Sequence, residues 1–137
     1  MRVRKCRPED VPRAVDLARK LSLDYPGIEA DRLWVAEEAG AVIGVVALKE
    51  QPDCHELCAL GVDPKFREKG VGKALIEALM ADALGRVHLA TIIPEFFETC
   101  GFEKSGDIPA TFPEKRKTPW CDGCPQELCT VMSREIR

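Results

Sequence analysis

Apolar residues recur along the chain with two different periods, and the switches between them predict short strands alternating with amphipathic helices. Val3 to Cys6 reads as a short first strand. Pro8, Glu9, Asp10 and Pro12 then suit the first turn of a helix, where a missing N–H and negative charge are both favourable. Val11, Ala14, Val15, Ala18 and Leu21 continue at three- and four-residue steps, with Arg13, Asp16, Arg19 and Lys20 on the opposite face. Tyr25-Pro26-Gly27 ends that helix. Leu33 to Glu37 and Ala41 to Leu48 read as strands joined across Glu38-Ala39-Gly40, a hairpin signal, and the second strand is apolar enough to be centrally buried.

Glu56 to Val62 reads as a further strand ended by Asp63-Pro64, because proline restricts the residue before it and donates nothing to a ladder. Helical spacing returns in Val71, Ala74, Leu75, Ala78 and Leu79 and fades near Leu84-Gly85. Val87 to Thr91 is a strand. Pro94 opens a short helix through Glu98 that Gly101 ends, and an extended segment follows around Phe102. The stretch from Ile108 to Pro125, dense in proline and charge, reads as loop, and Leu128 to Ile136 as the last strand. No internal repeat interrupts this order, so the 137 residues predict one domain, 1–137, with a cysteine-rich segment at 108–130.

Charge narrows the function classes. Acidic and basic residues are interspersed and the formal net charge is -3, which gives no long-range attraction to a polyanion, so no nucleic-acid partner is expected. Met1-Arg2-Val3-Arg4-Lys5-Cys6 lacks the apolar run of a signal peptide and no stretch is apolar enough to span a bilayer; the expectation is a cytoplasmic protein with no membrane partner. In that compartment the seven cysteines are expected to be free thiols.

The chemistry concentrates after the Glu56 to Val62 strand. Arg67-Glu68-Lys69-Gly70-Val71-Gly72 leads into the middle helix, and the first N–H groups of a helix have no partner within it and lie at the positive end of its dipole. Phosphate oxygens bind such an end. Glycine at 70 and 72 permits close backbone approach and unusual dihedral angles, and Arg67, Lys69 and Lys73 add positive charge.

The run from Leu60 to Leu75 resembles the coenzyme A signature of the GNAT (Gcn5-related) N-acetyltransferases, which reads strand, Pro, Arg, two residues, Gly, one residue, Gly or Ala. The order of elements fits too, with a hairpin ahead of the signature and a Phe-rich short helix ending in Gly101-Phe102 behind it. The resemblance implies an α/β (α+β) GNAT fold, a mixed central sheet of about six or seven strands flanked by about four helices. It implies acetyl-CoA as cosubstrate, held by Leu60, Val62, Arg67, Glu68, Lys69, Gly70, Val71, Gly72 and Lys73, and a small-molecule amine as acceptor. The amine must lose a proton, so a carboxylate beside it is the natural general base. Glu56, which resembles the glutamate many relatives place there, is the catalytic candidate; its bland reading is an ordinary strand glutamate pointing to solvent or paired with a lysine. His55 acting through water, and a covalent route through Cys58 or Cys100, are the other options. Phe97 stands where many relatives carry a proton-donating tyrosine, and a phenyl ring donates nothing. Tyr25, the only tyrosine, lies in the segment that walls the acceptor pocket in this fold.

Pro94 to Phe102, Ile108-Pro109 and Trp120 to Pro125 with Cys129 are similar to the short N-acetylglutamate-synthase-like branch, and parts of the tail to acetyltransferases encoded with arsenic-resistance genes. These point to an amino acid such as glutamate as acceptor, and relatives are often homodimers. Cys58 replaces the arginine that short glutamate acetylators often carry. Lys115, Arg116 and Lys117 are cationic enough to hold a carboxylate, although a basic run is most often solvated surface. Cys121, Cys124 and Cys129 have chelating spacing but lack a fourth ligand, which Cys100 or Cys54 supplies only if the fold brings it within reach, so reduced thiols and no metal are expected. Two rival functions stay open: a non-catalytic acyl-CoA sensor and a zinc-binding interaction module.

Overall fold

The computed structural model describes residues 1–83, 85–118, 121 and 124–135. Leu84 at the expected helix end, Trp120, Asp122 and Gly123 in the cysteine turn, and Ile136 in the last strand lie outside the described residues. Seven strands, β1 (Arg2–Lys5), β2 (Arg32–Glu38), β3 (Ala41–Glu50), β4 (His55–Val62), β5 (Arg86–Thr91), β6 (Glu103–Lys104) and β7 (Thr130–Glu135), form a mixed sheet in the order β1-β2-β3-β4-β5-β7-β6. Four α-helices accompany it: α1 (Val11–Lys20), α2 (Val71–Asp82), α3 (Pro94–Glu98) and α4 (Thr111–Lys115). The β4–β5 pairing is parallel, while β1–β2, β2–β3, β5–β7 and β6–β7 are antiparallel. The chain divides into two compact units, Met1–Lys49 with Leu57–Ala83, and Glu50–Glu56 with Leu84–Arg137.

In the first unit Ala39 (φ 50°) and Gly40 (φ 82°) place two successive residues in the left-handed region, the geometry that matches the twist of a tight hairpin. Val45, Val46 and Ala47 on β3 have no exposed surface, as the apolar run from Ala41 to Leu48 predicts. Helix α2 lies close over β3 because Gly44 has no side chain: a Cβ there would sit 2.9 Å from Leu75 Cδ1 and 3.0 Å from Val71 Cγ1. Leu75, Ile76 and Leu79 are thereby wholly buried, each worth roughly 1.5–3 kcal/mol relative to exposure. The buried stripe of α1 is Ala14, Leu17 and Ala18; Val11, Val15 and Leu21 are half-buried at its margin.

The expected acidic helix start is a 3-10 turn, Pro8–Asp10, that runs into α1. Asp10 is fully buried beneath three guanidinium groups: Arg4 bonds both its oxygens, Arg13 donates at 3.1 Å and Arg7 at 3.3 Å. Arg4, with the Arg7 backbone N–H, holds the Asp10 carboxyl far below the usual carboxylate range.

The second unit is built on the β5–β7 ladder, with Val87, Leu89 and Met132 buried. Phe97 packs edge-on against Phe96 and Phe102. One expectation fails here: residues 111–115, read as loop, form α4. Five residues are too few to hold a helix by propensity. Tertiary contacts hold it instead: Thr111 donates through its hydroxyl (2.6 Å) and N–H (3.3 Å) to Asp53, and Phe112 is 2% exposed. The last strand is shorter than expected, since Leu128 belongs to a 3-10 turn, Gln126–Leu128.

Candidate functional site

The coenzyme candidates lie in the first unit. After β4, Asp63 accepts the Lys65 N–H at 2.9 Å and caps a 3-10 turn, Pro64–Phe66. Glu68 (φ 65°) and Gly70 (φ 79°) then adopt left-handed backbone on either side of Lys69 and deliver the chain to the start of α2. Strain of this kind at a non-glycine residue is characteristic of ligand-holding loops. The first i to i−4 bond of α2 runs from the Ala74 N–H to the Gly70 carbonyl at 3.0 Å. Gly70, Val71, Gly72 and Lys73 therefore present N–H groups with no partner inside the helix, and no side chain caps that end.

This end is open. Among the described residues no atom beyond its chain neighbours and its own helix lies within 4 Å of where a Gly70 Cβ would be, and Arg67, Glu68, Lys69 and Lys73 are exposed. Val71 turns its side chain into the core, 3% exposed, so the backbone at the helix start is anchored. A diphosphate fits such a donor set. Two cations are partly engaged: Arg67 Nε donates to the Val62 carbonyl at 3.1 Å, and Lys69 Nζ lies 5.6 Å from the Phe66 ring centre. Leu60 and Val62 are half-buried on β4, downstream of Ala59, whose φ of 53° breaks the regular pleat.

Glu56, on the same strand, belongs to the second unit. Its register partner on β5 is His88, so the two residues stand side by side in a parallel pair. Glu56 is 1% exposed, accepts from Gln51 Nε2 at 2.9 Å and pairs with Lys115 Nζ at 2.5 Å. The lysine-paired reading is therefore what the geometry contains, with Lys115 supplied by α4 across 59 residues of sequence. This corrects the view of the 115–117 run as solvated surface: the Lys115 side chain is only 15% exposed, whereas Arg116 and Lys117 are exposed. Gln51 and Asp53 sit in the turn between β3 and β4, closed by the Gln51 N–H on the Cys54 carbonyl at 2.9 Å.

His88 escaped the sequence reading. It is 5% exposed, neither ring nitrogen has a hydrogen-bond partner among the described residues, and Phe112 lies 6.3 Å away between ring centres. Burial pushes its pKa down, opposed in part by Asp107, whose Oδ2 is 3.7 Å from Nε2. The unfolded chain consequently binds more protons than the native state as pH falls below the ordinary histidine value of about 6.5. Stability contributed by neutral His88 is full above that pH and is lost on acidification through the lowered native pKa. The Tm of the wild type is expected to fall as the pH drops below about 6.5, and His88→Phe to flatten that limb; an unchanged slope in the variant refutes the assignment.

The other sequence candidates make contacts of their own. The Tyr25 hydroxyl donates to Asp31 Oδ2 at 2.6 Å, its ring lies 5.4 Å from Lys49 Nζ, and it is 6% exposed. His55 Nε2 lies 3.5 Å from Glu50 Oε1. Cys58 and Cys100 are each 7% exposed and behave as small apolar side chains. Burial pushes the Cys54 thiol up to about 12 and the Cys6 thiol to about 11. Among the described residues no three His, Cys, Asp or Glu side chains are grouped to hold a metal ion, and no helix is long and apolar enough to cross a membrane.

The seven-stranded mixed sheet with its accompanying helices has the fold of solved acetyltransferases. Residues 29–104 match the acetyltransferase (GNAT) domain family. The amino-acid acetyltransferase of Mycobacterium tuberculosis is 32% identical over 127 residues, covering 80% of this chain and 72% of that protein. The N-acetylaspartate synthetase of Danio rerio is 34% identical over 98 residues, 63% of this chain but only 35% of its own length. Among solved structures, N-acetylglutamate synthase of Neisseria gonorrhoeae complexed with coenzyme A and N-acetyl-glutamate has a TM-score of 0.78 at 20% identity, covering all of this chain and 36% of that one. The chain belongs to the GNAT acetyltransferase family, and its activity is acetyl-CoA-dependent N-acetyl transfer.

Proposed function

We propose that this protein acetylates the α-amine of a free amino acid such as glutamate, with Glu56 as general base and the coenzyme held by Leu60, Val62 and the segment from Arg67 to Lys73. The observation that carries the reading is Glu56 itself, a carboxylate buried to 1% exposure on the strand that leads into the coenzyme segment. The amino-acid acetyltransferase of Mycobacterium tuberculosis supports the choice of acceptor class.

Acetyl-CoA supplies an activated acetyl thioester. The N–H groups at the start of α2 hold its diphosphate, and Arg67, Lys69 and Lys73 neutralise the charge. An ammonium acceptor is unreactive because its lone pair carries a proton; Glu56 accepts that proton and frees the nitrogen to bond the acetyl carbon as the carbon–sulfur bond breaks. Phe97 offers the departing sulfur no proton, so it leaves as thiolate, and the second proton that the nitrogen sheds on becoming an amide passes to that thiolate or to water.

Saturating acetyl-CoA is expected to raise the Tm, by several degrees at about a hundred times Kd. Incubation with the twenty common amino acids is expected to yield an N-acetyl amino acid by mass spectrometry. No thermal shift would remove the coenzyme assignment; a shift without any acetylated amino acid would remove the acceptor class.

A further inference from the structure

We infer that Lys115 is the specificity residue of the acceptor site, anchoring the substrate's α-carboxylate in exchange for the Glu56 contact it makes at rest. The inference rests on the proposed role of Glu56 and extends it to the other half of the ion pair.

Glu56 and Lys115 form a neutral, largely buried couple, 1% and 15% exposed by side chain and 2.5 Å apart. Anything that reaches the Glu56 carboxylate with a cationic nitrogen must displace the Lys115 ammonium. A simple monoamine would do so without returning an anion to the Lys115 ammonium in a poorly solvated place, which is unfavourable. A zwitterion avoids this. Its ammonium takes Glu56 while its carboxylate, one carbon away, takes Lys115, and every charge keeps an opposite partner. The pair is thus a template for the two charges that all α-amino acids share, and it selects against amines that lack the carboxylate.

The surroundings permit the exchange with little rearrangement. Gln51 continues to donate to Glu56 at 2.9 Å and keeps that carboxylate oriented. Asp53 pins the other end of α4 through the Thr111 hydroxyl at 2.6 Å, so the helix stays while the flexible lysine stem moves. The Phe112 ring lies 5.9 Å from Lys115 Nζ and offers the ammonium a face to remain against. The neighbouring cations are committed elsewhere: Arg116 donates to the Cys129 carbonyl at 3.4 Å, and Lys117 lies 3.8 Å from Glu114.

The test compares, in the wild-type enzyme, the fastest of the twenty common L-amino acids with its own α-carboxamide, which keeps the amine and side chain but not the charge. Wild type is expected to favour the acid by about tenfold to a hundredfold in kcat/KM, mostly through KM. Lys115→Met should abolish the preference and Lys115→Arg should retain much of it, since the guanidinium keeps the charge. Equal use of acid and amide by wild type overturns the inference whether or not the methionine variant folds, and leaves the amino-acid reading standing. A folded Lys115→Met enzyme with its preference intact also overturns it. Failure to acetylate any amino acid, by contrast, defeats the acceptor class itself and this inference with it.

Discussion

Glu56→Gln is expected to lower kcat by about a hundredfold or more while leaving the acetyl-CoA thermal shift in place. Glutamine keeps the shape and can still meet Gln51, but an amide nitrogen or oxygen does not take a proton from an ammonium. The difficulty is that the substitution also takes the Glu56 anion away from Lys115. Breaking a buried pair by removing one member costs about 3–5 kcal/mol, a large part of a domain's total stability. Lower activity in the single variant therefore has two sources, and the double variant Glu56→Gln with Lys115→Met separates them. Removing both charges leaves neither member of the pair without the other, so its Tm should recover most of the loss. Its kcat should not recover. A double variant with near wild-type turnover would show that another group, His55 through water first among them, takes the proton.

The second large effect is on the coenzyme. Gly70→Asp is expected to raise the acetyl-CoA KM by about tenfold to a hundredfold with little change in Tm. Aspartate is among the few side chains that tolerate left-handed backbone, which Gly70 adopts at φ 79°, and nothing within 4 Å obstructs its Cβ. As N-cap of α2 its carboxylate would accept from the second or third N–H of the helix and favour the fold. Those are the donors assigned to the diphosphate. The same substitution that caps the helix thus occupies the anion site and adds negative charge to it. Gly70→Ala is the useful companion: it carries the left-handed penalty of roughly 1–2 kcal/mol but no competing anion, so it should lower Tm more and KM less. Unchanged coenzyme binding in Gly70→Asp would place the diphosphate somewhere other than the start of α2.

The parts legible in advance share one property: their causes are local. Asp63-Pro64 ends β4, Ala39-Gly40 turns the hairpin, and the spacing of Val71, Leu75 and Leu79 turns one face of α2 inward, each through interactions among residues close in sequence. The open helix start followed from Gly70 and its charged neighbours for the same reason. Helix α4 was illegible because Pro109 and Pro113 argue against a helix and five residues cannot nucleate one; Asp53, 58 residues away, supplies what propensity lacks. His88 was illegible because a histidine in a strand carries no mark of whether its nitrogens will find partners.

By itself, then, the order of residues determined the strand and helix succession, the family resemblance and where the glycine-flanked start of α2 falls, since periodicity, turn chemistry and helix ends depend on near neighbours. Only the tertiary structure decided that Lys115, one of three adjacent cations, is the one withdrawn from solvent, and that Glu56 rather than another acid receives it. A basic run looks the same on paper whichever member is buried. Which one meets a carboxylate depends on the face α4 turns toward Glu56, and contacts distant in sequence set that face.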